Sequence, residues 1–105
     1  MAQFAVYRNP DPATRRRFPL LLDVQSELLD DLATRVVVPL APADSRKAAA
    51  IGRLTPLVVV DKQRYRAVVP QLAGIPRKAL GPAVGDLPGE RDAVIAALDL
   101  LLTGI

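Results

Sequence analysis

The chain has 105 residues, half of them hydrophobic and 24% charged, with a formal net charge of +3. That balance describes one folded domain, residues 1–105, rather than a disordered segment. It contains no histidine, cysteine or tryptophan, which excludes disulfides, thiolate nucleophiles, Cys/His zinc sites and any imidazole-based triad. No apolar run approaches the ~20 residues of a membrane span and no signal peptide is visible, so a soluble, cytoplasmic protein without metal or cofactor is expected.

In chain order, Gln3 to Arg8 is short, aromatic and β-branched and predicts a strand. Asn9-Pro10-Asp11-Pro12 predicts a loop, because prolines remove ladder donors. Phe18, Leu20, Leu22 and Val24 alternate on one face of a second strand. Arg35 to Leu40 predicts a third, with Pro39 marking an edge or a bulge. Ala41 to Asp44 predicts a turn, and Ser45 to Ile51 fits either a short helix or an irregular arm. Pro56 to Val60 and Tyr65 to Val69 flank the polar stretch Asp61 to Arg64 and predict a hairpin. Leu72 to Leu80 leaves room for short strands, and Gly81, Pro82 and Gly85 predict a loop. Asp86 to Glu90 has the proline and acids of a helix start, and a helix follows to about Leu102.

Charge is unevenly spread. Arg8, Arg15, Arg16 and Arg17 make the beginning basic, and residues 46–78 are basic apart from Asp61. Residues 23–34 and 86–99 are acidic. Basic stretches mark a nucleic-acid face, a landing site for an acidic disordered peptide, or solvated strand edges. Phe4, Phe18, Tyr7 and Tyr65 are the whole aromatic inventory, which is poor for stacking single-stranded bases.

Two places are more apolar than one small domain needs. On the last helix, Val94, Leu98, Leu101 and Ile105 form one stripe, Ile95 and Leu102 a neighbouring one, and Leu100 lies off both. The first stripe reads as core. The second is either an interface or is covered by the loop around residues 74–85. In Ser26 to Asp31, Leu28 and Leu29 are adjacent among polar neighbours. Adjacent residues cannot share a face, so one faces solvent unless both tuck under a loop.

In order and spacing, Gln3-Phe4-Ala5-Val6-Tyr7, Phe18 to Asp30 (FPLLLDVQSELLD), Val38-Pro39-Leu40-Ala41, Leu54 to Val60 and Asp86-Leu87 through Gly104-Ile105 resemble the CcdB family. Those members are the toxins of CcdAB toxin–antitoxin modules. The resemblance implies a mostly β (α+β) fold: an SH3-like antiparallel β-barrel with a small second sheet and one long C-terminal α-helix, forming a homodimer. It implies no enzymatic activity and no catalytic residues. The partners it implies are a second copy, a CcdA-like antitoxin and the A subunit of DNA gyrase, whose cleaved-DNA complex the toxin traps. Operator DNA is reached only through the antitoxin. Carried over by position, gyrase contacts fall on Leu28, Leu29, Asp99, Leu102, Thr103, Gly104 and Ile105. Dimer contacts fall on Val94, Leu98, Leu101 and Ile105, and the basic stretch offers Arg46, Lys47, Arg64 and Arg66 to the antitoxin. The family pattern has tryptophan where this chain has Thr103 and an amide where it has Asp99. Those departures leave a weakened homologue that binds only antitoxin as an alternative. A further alternative is a barrel-fold mRNA endoribonuclease, with Asp23 or Asp61 as base beside Arg64, Arg66 or Tyr65.

Overall fold

The computed structural model describes residues 3–43 and 52–104. Among these residues seven antiparallel strands form one continuous, curled sheet that stops short of a closed barrel, with one helix after the last strand. The strands are β1 (Ala5–Arg8), β2 (Leu20–Asp23), β3 (Thr34–Pro42), β4 (Leu57–Val60), β5 (Gln63–Ala67), β6 (Ala73–Pro76) and β7 (Ala83–Asp86). Helix α1 is Arg91–Thr103. The main path runs β4-β5-β3-β2-β1-β7, and β6 branches from β3. The separate small second sheet that the resemblance implies is thus this branch within one sheet.

The long β3 explains the branch. One of its edges pairs with β2 over Val37 to Leu40. The other pairs first with β6, from Thr34 to Val37, and then with β5, from Leu40 to Pro42. Pro39 lies where the partner changes, so its missing N–H is not demanded by either ladder. Its carbonyl still accepts from the Val68 N–H at 2.9 Å. The proline therefore marks a switch of partners inside the sheet, not the edge or bulge that its presence suggests.

The β4–β5 hairpin is tighter than its sequence implies. Val60 pairs with Gln63, so only Asp61 and Lys62 form the loop. Both have positive φ, 49° and 67°, the geometry of a type I′ turn, whose twist matches that of the strands. Alternation is clean on β4: Val58 and Val60 point into the core and Leu57 and Val59 outward.

β7 departs from the expected loop. It pairs with β1, Ala5 with Asp86 and Val6 with Gly85. Just before it, the Gly81 N–H donates to the Arg8 carbonyl at 2.9 Å. A Cβ on Gly81 would lie 2.7 Å from that oxygen, so glycine is needed for close backbone approach, not for flexibility. The turn signals in this segment belong to a strand that exists only through its partner.

Val6, Leu22, Val38, Leu40, Val58, Val69 and Val94 are fully buried and form the centre of the core. Phe4 seals one end. Its φ is 68°, uncommon for a bulky residue, yet its N–H donates to the Asp23 carbonyl at 2.6 Å and its carbonyl accepts from Leu87 at 2.8 Å. Helix α1 rests chiefly on the 3-10 turns Gly52–Leu54 and Val69–Gln71. Val94 and Ala97 are its fully buried residues, with Ile95 and Leu98 packed beside them. Val94 is accordingly part of the protomer's own core. At the helix end Leu102 stays exposed. Among the described residues, no helix is long and apolar enough to cross a membrane.

Candidate functional site: an apolar turn on a buried polar frame

The segment after β2 must leave the sheet and return as β3, and its backbone polar groups need partners on the way. Side chains supply them. Asp23 and Arg35 are both fully buried and joined by Nη2–Oδ2 and Nε–Oδ2 contacts of 2.7 and 2.9 Å. The other carboxylate oxygen of Asp23 accepts from the Gln25 N–H at 3.0 Å. Arg35 Nη1 reaches on to Asp30 at 2.8 Å. The Gln25 amide accepts from the Val36 N–H at 3.0 Å and donates to the Leu29 carbonyl at 2.9 Å. Ser26 caps the 3-10 turn Glu27–Leu29 by accepting from the Leu28 N–H at 3.2 Å. A short connection is thus clamped at both ends and in the middle.

That frame forces apolar side chains outward. Leu28 is 94% exposed, Leu29 51% and Leu32 49%. Both members of the leucine pair therefore face solvent, not one alone. Sequence reasoning misses Leu32; its signal is a third leucine at turn spacing from Leu28 and Leu29. It also misses Arg35, whose burial depends on Asp23 being opposite it in space. Burial, and then the Asp23 carboxylate, push the Tyr7 phenol above its ordinary value.

The second apolar place is the helix end. Leu101 is 37% exposed and Leu102 74%. Gly104 ends the helix in a left-handed conformation, φ 75°, and its N–H donates to the Leu100 carbonyl at 3.0 Å. The Thr103 hydroxyl donates to the Asp99 carbonyl at 2.6 Å, so its polar group is used inside the helix. Thr103 and Gly104 are exposed, as is Asp99. Ile105 lies outside the described residues. The chief packing surfaces of α1 do not include the leucine turn.

The remaining candidates divide in the same way. Arg64 is exposed, whereas Arg66 is half-buried and donates to the Thr55 carbonyl at 3.2 Å. Arg46 and Lys47 lie outside the described residues, as does the arm from Ser45 to Ile51. Asp23, held by Arg35, offers no accessible base for RNA cleavage. Tyr65 is almost wholly buried and its hydroxyl donates to Gln63 at 3.0 Å. Among the described residues no acidic cluster is arranged to hold a metal ion.

A family model for the CcdB protein matches residues 3–104, nearly the whole chain. The chain belongs to the CcdB family. That membership places it among the toxins of toxin–antitoxin modules. The fold also resembles those of solved structures. An endoribonuclease in complex with its cognate antitoxin, from a mycobacterial species, superposes with a TM-score of 0.77 at 17% identity, over 97% of this chain and 94% of that one. The Mycobacterium tuberculosis toxin MazF-mt6 gives 0.65 at 17% identity, over 78% of this chain and 83% of that one. At such identity the likeness is one of fold.

Proposed function

We propose that this CcdB-family chain is a toxin that binds the A subunit of DNA gyrase and holds the enzyme in its cleaved-DNA state. It makes and breaks no bond itself. The observation that carries the reading is the presentation of Leu28 and Leu29, with Leu32, on a turn whose backbone is fixed by buried polar groups. Exposed leucines on a preorganised turn lose little entropy on docking. Leu102, with Asp99, Thr103, Gly104 and Ile105, supplies the second contact at the end of α1. Leu101 and Leu98 belong to a homodimer surface, and the dimer offers each contact twice to a two-fold symmetric target. Binding stabilises the open, cleaved state and shifts its population. A CcdA-like antitoxin reverses it, and operator DNA is contacted through that antitoxin.

The test is DNA cleavage by purified gyrase in the presence of the purified protein. Linear DNA accumulates with added toxin, and Leu28→Ala abolishes that accumulation. An unchanged cleavage pattern at micromolar protein rejects the reading.

A further inference from the structure

The leucine turn is tied to the sheet from a second side. Ile75 and Pro76 of β6 pair with Arg35 and Thr34, and the chain then enters the 3-10 turn Arg77–Ala79. The Arg77 N–H donates to the Ala33 carbonyl at 2.9 Å, where the leucine segment rejoins β3. The Arg77 guanidinium reaches Asp30, with Nη2 3.7 Å from Oδ1. Arg35 Nη1 holds that same oxygen at 2.8 Å. Asp30 closes the turn that carries Leu28 and Leu29, its N–H donating to the Glu27 carbonyl at 3.1 Å. Leu32 follows, its N–H donating to the Leu29 carbonyl at 3.1 Å.

Charge explains why two guanidinium groups converge on one carboxylate oxygen. Asp23 already balances Arg35, offering Oδ2 to both Nε and Nη2. Asp30 is then the countercharge of Arg77, and these four side chains together are neutral. Hydrogen bonding does not explain the place of Arg77. At 3.7 Å its contact with Asp30 is an ion pair and not a hydrogen bond. Its Nε and Nη2 are shut off from solvent and have no hydrogen-bond partner. Buried donors without acceptors destabilise a fold, so they call for a role other than stability. We infer that Arg77 is a positioning residue, whose charge holds Asp30 in place and so fixes the outward presentation of Leu28, Leu29 and Leu32. The β6 branch thereby becomes part of the leucine site. The value of Arg77 for target binding rests on the gyrase reading; its ordering of the turn does not.

Arg77→Met keeps the apolar stem and removes both the charge and the unpaired donors. Arg77→Lys keeps the charge. The test compares backbone order parameters from NMR relaxation, together with urea melts, in these variants and the wild type. In Arg77→Met the order parameters of residues 28–32 fall from about 0.85 to below about 0.6, while those of the strands hold. The urea midpoint stays where it is or rises. Arg77→Lys recovers the ordered turn. With purified gyrase, Arg77→Met needs about tenfold more protein for the same yield of linear DNA, because a loosened turn must be ordered on docking. Relaxation is read without gyrase, so a failed gyrase reading and a failed positioning role are told apart. Equal order of the turn in Arg77→Met and wild type, or a turn that Arg77→Lys leaves loose, overturns the proposal. So does loss of order throughout the strands with a lower midpoint, or cleavage by Arg77→Met at the dose of an active wild type.

Discussion

Arg35 is the residue on which the leucine turn depends. Its guanidinium bridges Asp23 and Asp30, and Asp23 has no solvent to turn to. Removing one partner of a buried pair leaves an uncompensated charge, at a cost of about 3–5 kcal/mol. Arg35→Met is therefore expected to lower the urea midpoint strongly, and Asp23→Leu/Arg35→Met to recover part of the loss. A second outcome concerns Tyr7. Its phenol is held protonated above the usual value in the folded chain. As pH rises past 10.0, the unfolded chain releases this proton first, so stability falls with pH. Denaturant melts across that range show the slope, and Tyr7→Phe flattens it. The sequence makes Leu28 and Leu29 visible as misplaced apolar residues, but not Arg35. An arginine beside a valine run reads as a solvated strand end until the fold brings Asp23 to face it.

Among the elements, those with their own periodicity are legible: β1, β2, β3, the β4–β5 hairpin and α1. β7 is not, because glycine and proline dominate its surroundings and its pairing with β1 is a tertiary fact. The extent of the hairpin loop is also hidden. Gln63 and Arg64 are polar and look like loop, yet they pair with Val60 and Val59. The resulting two-residue turn holds Lys62 at a φ of 67°, a conformation that costs a side-chain-bearing residue roughly 1 kcal/mol. Lys62→Gly should stabilise the protein by about 0.5–1 kcal/mol, seen as a higher urea midpoint with an unchanged slope. A loss of stability would show that the turn is not of this type.

At the scale of the molecule, the half-barrel divides its labour between faces. The interior is closed by α1, which buries Val94 and Ala97 and leaves Leu101 and Leu102 at the rim. The polar frame holds the leucine turn outward. The two exposed leucine places are the surfaces we propose for partner recognition. Calorimetric titration of purified DNA gyrase with the wild-type protein and with a Leu28→Ala/Leu102→Ala variant tests it most directly. Removing two hot-spot side chains, each worth at least ~2 kcal/mol, should weaken binding by more than about a hundredfold while the melting temperature stays put. Equal affinity for both proteins, or no heat from the wild type, would exclude these leucines as the gyrase contact.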